Sequence, residues 1–218
     1  MTVKMSTPRC QRRSQRMVSM LAVLIAITPL SGCGDFVRQS RSPSQLVIVR
    51  LETPATEFRE LQGGTGVPGS IVQVPGFGAG PLYSDVEPAV RNLGRVALRQ
   101  ILRDPGPPGA TTAPSSLNDI TVEEYEVRYR LANGRNTAGV DVPYPIRGGL
   151  TITIQGTSTA TGEFELVRQV AKQEPPLSAL RNSSVVLTVI ADVTFYGHDQ
   201  AGNTVAANGS VQINFADF

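Results

Sequence analysis

Between Val185 and Phe215 apolar side chains recur at every second position, a period that paired β-strands satisfy and a helix does not. On the first arm Leu187, Val189, Ala191, Val193 and Phe195 share one parity. Opposite them stand Thr188, Asp192 and Thr194, with Ile190 and Tyr196 as apolar exceptions. On the second arm Val205, Ala207, Val211, Ile213 and Phe215 face away from Asn208, Ser210, Gln212 and Asn214. The arms are joined by Asp199-Gln200-Ala201-Gly202-Asn203, where an aspartate accepts turn N–H groups and Gly202 takes the left-handed conformation of a bulged hairpin. A slip of one residue would send every apolar side chain to the wet face, so the register is well fixed.

The rest of the chain extends the same pattern. In Asp119–Leu131, Tyr125, Val127, Tyr129 and Leu131 fall on one face and Glu124, Glu126, Arg128 and Arg130 on the other. Asn133-Gly134 then supplies a turn. Val140–Ile146 carries Pro143 and Pro145 on one parity, which limits it to an edge or an extended connection. Gly149–Gln155 alternates again, and Gly156–Gly162 is a small-residue turn. Glu163–Val170 suits strand or helix; a strand through about Arg168 is preferred, followed by a helical turn at Leu177–Leu180 after Pro175-Pro176. Upstream, Gln45–Glu52 is a strand, apolar on both faces through Val49 and therefore expected beneath other structure. Asn92–Leu102 has strand periodicity, although Val96, Arg99 and Arg103 also suit an amphipathic helix. Asp104-Pro105-Gly106 favours the strand. Thr53–Pro88 is rich in glycine and proline, with only Ser70–Val74 strand-like, and is expected to be a partly ordered insertion, with a ligand-binding loop as the alternative. The expected fold class is all-β.

The run Val193-Thr194-Phe195-Tyr196-Gly197 with Asp199 and Gly202-Asn203, followed by Val211, Ile213 and Phe215, resembles the last hairpin, strands F and G, of bacterial immunoglobulin-like and fibronectin type III-like domains. Tyr125-Glu126-Val127-Arg128-Tyr129 resembles their central strand C. The resemblance covers about half of residues 33–218 and implies an antiparallel β-sandwich. With no tryptophan and only two cysteines, Cys10 and Cys33, the chain lacks the hallmarks of an antibody-type domain. The insertion, residues 53–90, is also longer than a normal A–B connection.

Residues 1–16 hold Lys4, Arg9, Arg12, Arg13 and Arg16 and no acidic residue, and Met17–Leu30 is an apolar run. Basic residues, a short apolar segment and small residues at its end describe a secretory signal. Leu30-Ser31-Gly32-Cys33 resembles the lipobox of bacterial lipoproteins. That resemblance implies cleavage before Cys33, acylation of its thiol with palmitate-type chains, and anchoring in the cell envelope. Gly34 after the cysteine, where aspartate would signal inner-membrane retention, leans towards the outer membrane. The expected organisation is a cleaved signal over residues 1–32, a tether over 33–44 and a β-sandwich domain over 45–218. Removing five basic residues lowers Lys+Arg from 20 to 15 against 18 acidic residues, so the formal charge moves from +2 to −3. Nucleic acid, which needs a basic stripe, is not an expected partner. Cys10 leaves and Cys33 is blocked, so no internal disulfide forms and the core alone holds the domain.

Chemistry-bearing residues are few. His198 is the only histidine and sits beside Asp199 in a turn context, which is poor support for a triad. Zinc lacks ligands, and Asp199 with Asn203 is only a weak calcium candidate without the Asp-x-Asp run of a calcium loop. No cofactor motif is present. Glu123, Glu124 and Glu126 cluster, and paired carboxylates run glycoside hydrolysis, but Glu124 and Glu126 share a face with Arg128 and Arg130. Tyr125 and Tyr129 lie on the dry face, which leaves Tyr144 as the free aromatic. Tyr144 and Asp141, in the Val140–Ile146 loop, are the candidate partner-binding residues. The expectation is a non-enzymatic, lipid-anchored binding or assembly module with an envelope protein or glycan partner. The alternatives are a carboxylate-based envelope hydrolase and a carbohydrate-binding sandwich.

Overall fold

The computed structural model describes residues 42–58, 71–87, 92–104, 106 and 113–217. The signal segment, Leu30, Ser31, Gly32, Cys33 and the tether before Ser42 lie outside the described residues. Nine strands build two sheets, and no α-helix occurs among the described residues. The strands are β1 (Ser44–Phe58), β2 (Ile71–Gly78), β3 (Leu82–Asp85), β4 (Asn92–Leu102), β5 (Ile120–Arg130), β6 (Ile146–Ile154), β7 (Thr159–Val167), β8 (Leu187–Asp199) and β9 (Thr204–Ala216). One sheet runs β2-β1-β4-β7 and the other β3-β9-β8-β5-β6. All pairings are antiparallel except β3 with β9, which is parallel.

The C-terminal hairpin behaves as its period requires. β8 and β9 pair without interruption from Leu187↔Phe215 to His198↔Thr204, and Val189, Ala191, Val193, Phe195, Ile213 and Phe215 are buried. The two sheets pack face to face over one apolar cluster drawn from both. Within it Phe164 of β7 meets two rings of the other sheet, with centroids 5.2 Å from Phe195 at 90° and 5.2 Å from Tyr125 at 62°, edge-on arrangements that suit aromatic quadrupoles. Two tyrosine hydroxyls also cross between the sheets: Tyr129 donates to the Leu166 carbonyl at 2.7 Å, and Tyr125 accepts from the Glu165 N–H at 3.1 Å. Burial pushes both phenol pKa values up.

Three expectations change. In β5 a register shift between Val122 and Glu124 inserts a bulge. Ile120 and Val122 therefore point inward together with Tyr125, Val127 and Tyr129, although their parity differs. Opposite the bulge, a side chain at Gly197 would collide with the Thr121 carbonyl, so the tight approach requires glycine. In β1 a second register shift between Ile48 and Arg50 turns Val49 outward to 45 % exposure, so this strand is not covered on both faces. The turn expected over Gly156–Gly162 closes within Gln155–Ser158, where Ser158 N–H bonds the Gln155 carbonyl at 3.0 Å. Thr159–Gly162 already belong to β7. A Cβ at Gly162 would meet Ile152 of β6, a close approach between the sheets.

The Thr53–Pro88 stretch contains more strand than its composition suggests. β1 continues through Phe58, β2 pairs with it from Thr53↔Gly78 to Phe58↔Ile71, and β3 crosses to the other sheet. Arg95 lies over the Phe77 ring at 4.0 Å, a cation–π contact joining β4 to β2. Asn92–Leu102 is a strand, and Leu177–Leu180 forms a single 3-10 turn after Pro175-Pro176.

Candidate functional site

At the end of the sheets where β5 leaves Arg130, residues 131–145 fold back to reach β6 at Ile146. Gly134, at φ 87°, makes the first turn, with its N–H on the Leu131 carbonyl at 2.9 Å. The Thr137 carbonyl then accepts the N–H groups of Asp141 at 2.8 Å and Val142 at 3.3 Å. Ala138 and Val142 form an isolated bridge around a turn at residues 139–141, so the expected extended connection Val140–Ile146 begins as a turn and its last residue opens β6.

Asp141 holds this loop rather than presenting itself to a partner. Its carboxylate is buried, accepts from the Thr137 N–H at 3.4 Å and pairs with the Arg135 guanidinium. Burial opposes ionisation, but the Thr137 hydrogen bonds and the Arg135 charge outweigh it and hold the pKa below the ordinary aspartate range. Tyr144 does face outward, at 52 % exposure, between Pro143, which is buried, and Pro145, which is exposed. Its hydroxyl end packs over Gly139, where a Cβ would collide with it.

Two depressions flank this strip. One, of about 410 Å³, is bounded by Tyr144 and Pro145 on one side and by Arg168, Val170, Ala171 and Glu174 on the other. The second, of about 230 Å³, lies between Pro143, Pro145 and Val142 and the sheet residues Glu126, Arg128 and Tyr129. Val140 and Val170, at 68 % and 60 % exposure, add apolar surface at this end.

The wall carrying Arg168 and Glu174 is built on the 3-10 turn Val170–Gln173. Lys172 within it is fully buried, and its Nζ donates to the Glu87 carbonyl at 3.3 Å. Desolvation lowers its pKa to about 8, against the opposing charges of Asp85 and Glu87. Arg181 donates back to the Lys172 carbonyl at 3.4 Å. The turn is thus pinned from below while Arg168 and Val170 face solvent.

The remaining candidates are placed elsewhere. Glu124 pairs with Arg147 at 2.7 Å, and Glu126 with Arg128 at 2.9 Å while accepting the Tyr196 hydroxyl at 3.2 Å. The Arg128 hydrogen bond is the main reason the Glu126 pKa lies low. Glu126 borders the second depression. His198 is a strand residue, paired with Thr204, with its Nδ1 3.5 Å from Glu123. The Asp199 carboxylate is fully buried and occupied by its own turn. It accepts from Ala201 N–H at 3.0 Å, Asn203 N–H at 2.9 Å and Asn203 Nδ2 at 2.9 Å. Burial opposes its ionisation, but donors from Asn203, Ser42 and Ala201 win and keep its pKa low. Among the described residues, no group of three or more His, Cys, Asp or Glu is arranged to hold a metal.

The sequence pointed to Tyr144 and missed Arg168, Glu174 and Lys172. The Pro175-Pro176 pair marked the segment as leaving the sheet, but nothing in it announced that it would face Tyr144 across a depression. No protein-family model matches this chain, and no curated protein matches it.

Proposed function

We propose that this chain is a lipid-anchored, non-enzymatic binding module of the cell envelope, carried on an immunoglobulin-like β-sandwich and held at the outer membrane through acylated Cys33. The strand order supports the domain type: β9-β8-β5 is the G-F-C order of such a sheet, and β8, β9 and β5 are the strands that carry the sequence resemblance. The lipobox-like Leu30-Ser31-Gly32-Cys33 supports the anchor.

The observation that carries the binding reading is the exposed Tyr144–Pro145 strip, held by Asp141 and flanked by two depressions. Loops fixed on a sheet scaffold are where such domains place recognition residues. The hydrolase alternative has weaker support, because Glu124 and Glu126 are each tied to an arginine. A glycan partner is the second reading, favoured by the exposed Tyr144 ring; a glycan array without hits removes it.

Cell fractionation with and without Cys33→Ser tests the anchor. The native chain is expected with the membranes and the variant free of them; a variant that stays bound overturns anchoring through this residue. Capture from the native envelope with Tyr144→Ala tests the binding end. A partner held equally by variant and native chain removes the assigned surface.

A further inference from the structure

We propose that the depression of about 410 Å³ between Tyr144–Pro145 and the Arg168–Glu174 segment binds a small zwitterion of amino-acid or dipeptide size, with its carboxylate on Arg168 and its ammonium on Glu174. The proposal rests on reading the chain as a binding module and names the ligand class of that module's site. A volume near 410 Å³ falls at the small end of the range for ligand sites, about 300–1,000 Å³. The rest of the lining is apolar, with Val170 and Ala171 on the wall that carries both charges and the Tyr144 ring and Pro145 facing them.

The charges themselves are unspent. Neither Arg168 nor Glu174 enters an ion pair among the described residues, although both line the same space. Arg168 makes one hydrogen bond, from Nη2 to the Arg147 carbonyl at 3.1 Å. A guanidinium has five N–H donors, so a face remains for the two-pronged contact that a carboxylate accepts. The Glu174 backbone is engaged, its N–H with Ala171 at 3.3 Å and its carbonyl with Ser178 at 3.0 Å, which fixes the residue and leaves its carboxylate to the depression.

Both walls are set before any ligand arrives. One is pinned by buried Lys172, the other by Asp141 and by Tyr144 packed over Gly139. A site that needs no ordering on binding keeps more of its contact energy as affinity. A ligand with only one charge would leave the second charge of the Arg168–Glu174 wall partly desolvated and unpaired, so the site favours a molecule that carries both.

The test is calorimetric or NMR titration of the full chain in detergent with leucyl-leucine, its N-acetyl form and its C-terminal amide. The free dipeptide is expected to bind at least about tenfold more tightly than either blocked form. Arg168→Gln should abolish the preference over the amide and keep that over the N-acetyl form; Glu174→Gln should do the reverse. Circular dichroism of these two surface variants verifies that they fold. Equal binding of all three probes, no binding up to about 10 mM, or preferences untouched by the substitutions overturns the proposal. If the dipeptide fails while Tyr144→Ala still abolishes capture of an envelope partner, only the ligand class is lost. If both fail, the binding-module reading falls with it.

Discussion

Asp199 and Asp141 are both buried aspartates in loops, and both are kept ionised by nearby donors, but they finish the two ends of the sheets differently. Asp199 gathers the N–H groups of a five-residue turn and brings β8 directly back as β9. Asp141 braces a longer excursion whose outer surface, Tyr144 and Pro145, stays available. The same chemistry closes one end and props the other open. A buried carboxylate in a loop therefore says little about binding until its acceptor sites are accounted for.

The sharpest way to break that contrast is Asp199→Ala. It removes the buried acceptor of the Ala201 and Asn203 N–H groups, the Asn203 side-chain amide and the Ser42 hydroxyl, and should cost about 3 kcal/mol in chemical denaturation, while dipeptide binding at the far end is unchanged. The pH dependence has a definite sign. The folded-state pKa of Asp199 is depressed, so its contribution is complete above the unfolded value near 3.9 and is lost as pH falls through the folded one. Acid unfolding of Asp199→Asn should be correspondingly shallower; an unchanged acid limb would show that the turn does not depend on the charge.

Lys172 sharpens the other end. Its pKa falls from an ordinary lysine value to about 8, so between about pH 8 and 10.4 the unfolded chain holds a proton that the folded one has released. Stability should rise with pH across that window by roughly 2–3 kcal/mol, and Lys172→Met should flatten the rise. A flat native profile would mean that the amine is far better solvated than its burial implies.

Asp141→Asn is expected to have a smaller global effect than Asp199→Ala, but to shift the Tyr144 ring resonances and weaken ligand binding. Loss of binding with little loss of stability is the signature of a brace. Smallest of all, Glu124→Gln combined with Glu126→Gln should change stability by about 1 kcal/mol, since partly exposed pairs contribute little, and leave dipeptide binding intact. A large functional loss from that pair would revive the carboxylate chemistry.

The strands were legible wherever one face is dry and one wet, as at Val189–Phe195 and Tyr125–Tyr129, because burial then writes itself as a two-residue period. It failed at bulges. Val49 and the Glu123–Glu124 step each add a residue to one strand only, and no composition signal marks which partner will accommodate it. Tyr144 was visible as an aromatic between prolines. Arg168 and Glu174 were not, since the depression arises from two loops separated in sequence. Buried Lys172 runs against the usual exposure of its residue type and can be recognised only once its surroundings are known.

The parallel contact of β3 with β9 has a consequence in time. It joins Leu82 to Ile213 and Asp85 to Ala216, so β3 waits until β9, 131 residues downstream, has been made before it finds its place. Until then the outer edge of β9 has no neighbour, and an unpaired edge recruits other chains. Closing so distant a contact is also slow, because the entropy of the loop is lost before the pairing repays it. Four residues of β3 thus act as a late seal, and the interval before it forms is when this chain is most exposed to aggregation.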